Sequence, residues 1–303
     1  MAKVQAPFFG LDASGTLDKT LTFTSHPGMH RAIKIPTHPD AQSLRQLYQR
    51  WRYYDAIQYW NSLTPVQKAT YHTTAVRRGL PDMAYFLSIY LKNPIDQFLW
   101  LRLDQENPAT FPDYSGKGHH ATRFGTTPIT GAIDGAQHYD GSADRIDIAH
   151  HSDLDLGTAD FTFMLWILTT WSAGLAHFAG KNAAGRPAYS YSLEGDQIRF
   201  SMFDAGVGTV KLSQPWTAVN DGLLHHLAAK RSGTVVYLLI DGEVVDSDMC
   251  NFDLDNPEVF RLGASVTPSW WYLGDEDDAR LYKRALTNPH IKYIATQERY
   301  PLL

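Results

Sequence analysis

From about residue 95 onward, strand-forming runs follow one another with turn residues between them, and this succession constrains the fold more than any other property of the chain. Residues 159–167 are apolar at nearly every position, as expected of a strand buried between two sheets. Residues 197–203 alternate apolar and polar, the pattern of a strand with one covered face. Residues 234–240 lead into Asp241-Gly242, and Glu243-Val244-Val245 follows. An Asp-Gly step between two such runs is a strong hairpin signal, because a tight hairpin turn needs positive φ at both central positions. Short strands with turns roughly every 8–12 residues build a β-sandwich.

The first 93 residues read differently. Residues 20–24 and 31–35 are short strands, broken by Pro27-Gly28 and stopped by Pro36 and Pro39. Leu44, Leu47, Tyr48, Trp51 and Tyr54 then fall at helical spacing, with Asp40 as the N-cap. Thr64-Pro65 opens a second helix, since Thr caps well and proline at the first helical position has no N–H to waste. That helix runs to Arg77-Arg78 and stops at Gly79. Pro81-Asp82 opens a third through Tyr85, Phe86, Ile89 and Tyr90. The change of period places a domain boundary at 93/94: a small α+β module over 1–93, and a mainly β domain over 94–303.

Charge follows the same division. Residues 1–92 carry 11 Lys and Arg against 5 Asp and Glu, and the remainder carries 16 against 27. Such asymmetry suits two modules with different partners, the basic one facing an acidic protein surface or simply water. No nucleic-acid motif accompanies it. Cys250 is the sole cysteine, so no disulfide can form within the chain. Met-Ala-Lys-Val-Gln-Ala-Pro at the start has no signal-peptide core, and no run approaches the roughly 18 apolar residues that span a bilayer. The expectation is assembly in a cytoplasm, with release by lysis if the protein works outside a cell.

Seven short motifs in order resemble the jelly roll of the concanavalin A-like (laminin-G-like) superfamily. They are residues 98–104, the turn Asp113-Tyr114-Ser115-Gly116-Lys117-Gly118-His119-His120, and Tyr139-Asp140-Gly141-Ser142-Ala143-Asp144. Asp160-Phe161-Thr162-Phe163 through Trp166, Leu224-His225-His226-Leu227-Ala228 and residues 236–242 continue the series. The run Gly274 to Leu286, with Asp277-Asp278, Arg280-Leu281-Tyr282 and Arg284-Ala285-Leu286, closes it. Lys117 stands where the family pattern has Asn, and Leu224 where it has Trp. The resemblance implies a two-sheet sandwich that binds sugars or surfaces; some members are hydrolases.

The N-terminal stretch resembles a small module of tailed-phage and prophage proteins. The matching residues are Gly10, Gly15 and Leu17, then Pro39, Trp60 through Pro65, Gln67-Lys68 and Tyr85-Phe86. A virion role follows as an implication, with Trp51, Trp60, Arg45, Arg52, Tyr85 and Phe86 as particle-anchoring candidates and other virion proteins of capsid or tail as partners, in many copies.

For chemistry, the glucanases of the superfamily carry a Glu-x-Asp-x-Glu strand whose two carboxylates act together. The chain lacks that triplet; Glu194-Gly195-Asp196 reads as a turn, so no catalytic residue is assigned. Calcium is the candidate cofactor, because some relatives hold it with loop acids. Here those would be Asp113, Asp140, Asp144, Asp277 and Asp278, which otherwise organise turns and close the fold. His225 and His226 lie side by side on a strand, point to opposite faces and cannot chelate together. His119-His120 and His150-His151 are loop pairs with no Cys or third His at zinc spacing. Trp270-Trp271-Tyr272 is the binding candidate, able to stack on a sugar ring or plug a neighbouring subunit, with at least one ring in the core. The leading expectation is a non-enzymatic virion decoration protein that displays a lectin-like jelly roll to surface glycans. A glycan hydrolase with an atypical site and a cellular adhesion lectin are the alternatives.

Overall fold

The computed structural model describes residues 3–4, 13–17, 21–26, 29–34, 43–105, 109–171, 174–182, 188–204, 206–265 and 270–298; before residue 43 it gives the course of the backbone alone. The chain divides into two compact units, 1–47 and 48–303. In the first unit, β1 (Lys3–Val4), β2 (Ala13–Leu17), β3 (Leu21–His26) and β4 (Met29–Lys34) form an antiparallel meander. The strands expected at 20–24 and 31–35 are therefore present, while the Pro27-Gly28 turn and the Asp40 cap lie outside the described residues.

Helix α1 (Leu44–Ser62) runs through the division at 47/48, so the compact units do not part where the sequence changes period. Its start is fixed at Ser43. Gln46 N–H donates to Ser43 Oγ (3.4 Å), and Ser43 N–H donates to Gln46 Oε1 (3.1 Å), a reciprocal cap. Helix α2 (Pro65–Arg77) begins with the same device, built on Thr64 and Gln67 with Pro65 in the first turn. Helix α3 (Asp82–Tyr90) follows. Among the described residues no helix is long and apolar enough to cross a membrane.

The second unit is a sandwich. Its strands are β5 (Gln97–Leu101), β6 (Thr110–Phe111), β7 (Ala121–Phe124), β8 (Thr127–Thr130), β9 (Gly135–Asp140), β10 (Arg145–Ile148), β11 (Phe161–Leu168) and β12 (Leu175–Lys181). They continue as β13 (Ala188–Glu194), β14 (Gln197–Asp204), β15 (Gly208–Pro215), β16 (Leu224–Ser232), β17 (Val235–Ile240), β18 (Glu243–Met249), β19 (Phe260–Leu262) and β20 (Leu273–Tyr282), before helix α4 (Asn288–Gln297). One sheet runs β15-β14-β13-β12-β19-β10-β7-β6. The other runs β18-β17-β16-β11-β20-β9-β8, with β5 also paired to β20. All pairings are antiparallel, as the expected jelly roll requires. The core lies between the sheets, where Phe163, Leu165, Leu227, Leu238 and Leu281 of one meet Tyr189, Tyr191, Phe200 and Leu262 of the other.

The expected hairpin is present between β17 and β18. Asp241 has φ 52° and Gly242 φ 83°, the paired left-handed residues of a tight hairpin turn. Strand β20 contains a bulge: the four residues from Asp277 to Arg280 span three on β11 from Met164 to Trp166, and Asp278 takes φ 49°. The bulge turns Arg280 and Tyr282 away from the core toward the helices. There Tyr282 OH donates to Asp55 Oδ2 (3.0 Å) on α1. Arg280 Nη2 pairs with Asp278 Oδ2 (2.6 Å) and Glu298 Oε2 (2.7 Å). His290 of α4 meets Asp55 at 2.6 Å, and Arg284 pairs with Asp96. The helices from Tyr48 onward thus cover one outer face of the sandwich, and among the described residues no helix covers the outer face of β12–β15.

Candidate functional site

The open face of β12–β15 carries a groove of about 240 Å³. Strand periodicity makes it. In residues 188–203 the inward positions are Tyr189, Tyr191, Leu193, Ile198, Phe200 and Met202, all buried in the core. The outward positions are Ala188, Ser190, Ser192, Glu194, Ser201 and Phe203, which line the groove. Register brings the hydroxyls together, because Ser190 faces Ser201 across β13 and β14, and Ser201 faces Lys211 across β14 and β15. On the β12 side, His177 lies opposite Ser192. Gly180 is required beside them: at φ 142° a Cβ there would sit 2.2 Å from Tyr189 O.

Trp270 forms the wall. Its ring stacks on His177 with centroids 5.2 Å apart and planes 24° apart, and its carbonyl accepts from His177 N–H (3.3 Å). Asn182 Nδ2 donates to His177 Nδ1 (3.0 Å), and Ser190 Oγ lies 3.3 Å from the same nitrogen. Burial pushes the His177 imidazole down to about 4, so the ring is neutral at ordinary pH. With Nδ1 accepting, the proton sits on Nε2. At the far end, Glu194 pairs with Arg199 and, at 3.4 Å, with Lys211; the Arg199 hydrogen bond holds its carboxyl below the usual range. The groove therefore has a half-buried indole, a neutral imidazole, an amide and an ion pair along its walls, over the hydroxyls of half-buried Ser201 and buried Ser190 and Ser192. An aromatic face beside convergent hydroxyl and amide groups binds a sugar by stacking and hydrogen bonds. A larger cavity of about 320 Å³ beside β8 and β9, lined by Asp104, Ile129 and Asp134, has no aromatic wall.

The Trp-Trp-Tyr run divides on inspection. Trp270 lines the groove, Trp271 is half-buried in a bridge to Ala264, and Tyr272 is fully buried against Phe178 and Tyr139. Tyr272 donates from its hydroxyl to Leu168 O (3.1 Å) and is a core residue, so the surface candidate narrows to the two indoles.

The five acids singled out for calcium do not converge. Asp113 accepts from Trp100 N, Ser115 N, Ser115 Oγ and His119 N, all within 3.0 Å, and so organises its own loop. Asp140 is capped by Ser142, whose hydrogen bonds hold its carboxyl below the usual range, and Asp144 accepts from Asp140 N (3.1 Å). Asp277 and Asp278 are buried. Asp277 Oδ2 accepts from Ile133 N (2.9 Å), while Asp278 Oδ1 accepts from Trp100 Nε1 (2.6 Å). Burial and the charge of Asp278 raise the Asp277 carboxyl well above its ordinary range. These two acids hold the bulge rather than face a groove.

The anchoring candidates lie on the helical layer or ahead of it. Trp51 and Phe86 are buried, the former edge-on to Tyr48 and the latter packed with Tyr59, Trp60, Tyr71 and Tyr90. Arg52 donates to Tyr114 O (2.7 Å) beneath Trp100. Arg52 therefore fastens α1 to the sandwich, while Phe86 packs the helices against one another and Trp51 packs on Tyr48 of its own helix. Trp60 and Tyr85 are half-buried, and Arg45 is exposed. His226 is buried against Trp166, whereas His225 bridges Asp241 and Asp221, so the two rings do point apart.

Residues 140–292 match the family model described as the concanavalin A-like lectin/glucanases superfamily. The chain belongs to that superfamily. No curated protein matches it. Solved structures of similar fold include the binding domain of Paraclostridial Mosquitocidal Protein 1, at 14% identity and TM-score 0.58 over 67% of this chain and 52% of that one. The receptor binding domain of botulinum neurotoxin C/D mosaic serotype matches at 12% and 0.56, over 66% and 51%. The binding domain of botulinum neurotoxin DC in complex with SialylT matches at 10% and 0.56, over 68% and 52%. The chain spans about half the length of these structures, and at such identities the likeness is one of fold. The groove residues other than Trp270 escaped the sequence reading, although the alternation of small polar and aromatic residues over 188–203 carried the signal.

Proposed function

We propose that this member of the concanavalin A-like superfamily is a non-enzymatic glycan-binding module, and that the sugar occupies the β12–β15 groove. The observation that carries this is the His177–Trp270 stack standing over a floor of Ser190, Ser192 and Ser201. A pyranose laid on the indole would meet hydroxyl, amide and imidazole partners along its edge. The solved neighbour in complex with SialylT lends general support to a sugar ligand. Glycan-array binding followed by calorimetry tests it. Trp270→Ala is expected to weaken binding at least about tenfold, some 1.4 kcal/mol. Equal binding by Trp270→Ala and the parent, or no array signal at all, overturns the groove. Reducing-sugar release by the parent, lost in Asp277→Asn, would favour a hydrolase instead.

The setting we propose is a phage-like particle, assembled in a host cytoplasm and released by lysis. The support is the resemblance of residues 1–93 to tailed-phage modules, with Arg45, Trp60 and Tyr85 as the remaining anchoring candidates and capsid or tail proteins as partners. Weak single-site binding would then gain strength from copy number. Mass spectrometry of purified particles checks this; particles that lack the protein refute it, and a cellular adhesion role would take its place.

A further inference from the structure

Outside the groove, two loops meet at the opposite end of the same sheet. Strands β7 and β10 pair antiparallel with Ala121 opposite Ile148, so the residues just before β7 and just after β10 emerge together. His119 comes from the first loop and His151 and Asp153 from the second. One donor atom from each lies within 4.8 Å of the others. Asp153 Oδ2 is 3.4 Å from His119 Nε2 and 3.5 Å from His151 Nδ1. Ligands bonded tetrahedrally to one dication at about 2.1 Å stand roughly 3.4 Å apart.

His119 supplies the independent observation. Its side chain is 94% enclosed by the surrounding protein, at 6% relative exposure, and its buried Nε2 faces the cluster, where its contact with Asp153 Oδ2 at 3.4 Å falls short of a well-formed hydrogen bond. A buried polar nitrogen so poorly satisfied is costly and calls for an explanation. Both loops are already stiff: Asp113 fixes the backbone at His119, and Tyr189 OH donates to Leu154 O (2.9 Å) beneath Asp153. His151 is exposed and Asp153 half-buried, which leaves the cluster open to solvent on one side.

We propose that His119, His151 and Asp153 form a binding site for a transition-metal dication of the zinc class, with at least one coordination position open to solvent or a further ligand. Two imidazoles and one carboxylate select such a metal over calcium, which takes oxygen ligands. The site is distinct from the five acids considered above and from the groove. Its His151 Nδ1 now accepts from Asp153 N (3.1 Å), a bond that metal at that nitrogen would replace.

Untagged protein, stripped with a chelator and dialysed, is titrated with Co²⁺ and with Zn²⁺ alone. One saturable equivalent is expected, with Co²⁺ giving the visible absorption of a low-coordinate nitrogen–oxygen site and Zn²⁺ raising the melting temperature by mass action. His119→Ala, His151→Ala and Asp153→Asn are each expected to weaken Co²⁺ binding at least about tenfold, whereas His150→Ala next door leaves it unchanged. Circular dichroism shows whether buried His119→Ala folds; the exposed His151→Ala decides the matter if it does not. Absence of a saturable Co²⁺ site, or His151→Ala binding as the parent does, overturns the assignment.

Discussion

His177 is the residue on which the groove chemistry turns. It is held neutral by burial, with a folded value of about 4 against an ordinary 6.5. A depressed histidine stabilises the fold above its unfolded value, and that stability drains away as pH falls from 6.5 toward 4, because the unfolded chain takes up the proton first. Between pH 7 and 5 this amounts to about 2 kcal/mol. His177→Phe keeps a ring against Trp270 and removes the titration. In urea unfolding, the parent is expected to lose about 2 kcal/mol more than His177→Phe between those pH values. Parallel losses would show that the ring is solvated. Sugar binding measured over pH 5–8 is expected to be flat for the same reason, since the imidazole keeps one protonation state. Arg280 is the counterpart on the opposite face. Its loss in Arg280→Met strands Asp278 and Glu298 as buried carboxylates, and chemical denaturation should report a cost of about 3–5 kcal/mol.

Among elements, the hairpin from β17 to β18 and the capped start of α2 were legible because each is set by neighbours in sequence. Asp241-Gly242 supplies left-handed backbone, and Thr64, Pro65 and Gln67 supply a cap. The Gly242 position is tighter than its turn alone requires: a Cβ there would lie 2.6 Å from Lys292 Cα on α4. Gly242→Ala is therefore expected to cost more than the roughly 1 kcal/mol of a strained turn, read as a lowered melting temperature. The buried strand at 161–168 was equally plain from its apolar run. The groove was not, because it depends on which strands become neighbours. Nothing local to Ser190 or Lys211 says that β13 to β15 will pair in a register that joins them. The His119, His151 and Asp153 cluster is hidden for the same reason, its members meeting through the β7–β10 pairing. The bulge in β20 explains why Asp277-Asp278 resembles an acid site in sequence while its carboxylates point at Ile133 N and Trp100 Nε1.

At the scale of the molecule, the division at 47/48 sets a prediction for fragments. Helical period begins near residue 44, so the sequence suggested that the three helices before residue 93 belong with the strands ahead of them. The contacts of Asp55 with Tyr282 and His290, and of Arg52 with Tyr114, bind the helices from Tyr48 onward to the sandwich instead. A fragment of residues 48–303 is expected to unfold in one cooperative transition. A fragment of 94–303 leaves His290 without its carboxylate and uncovers Trp100 and Tyr282, so it should melt earlier and aggregate. Differential scanning calorimetry and light scattering compare the two.

The link between Asp55 and Tyr282 joins residues 227 positions apart in the chain. Closing so long a loop is slow, and it cannot happen until the last strand has been made. During synthesis Asp55 therefore waits for partners that do not yet exist, while Phe86 and Tyr90 can already pack with Ala56 and Leu63 of the helices. The finished protein gains from the same arrangement: α1 and β20 must part before the layer can open, so the contact between them is expected to slow unfolding.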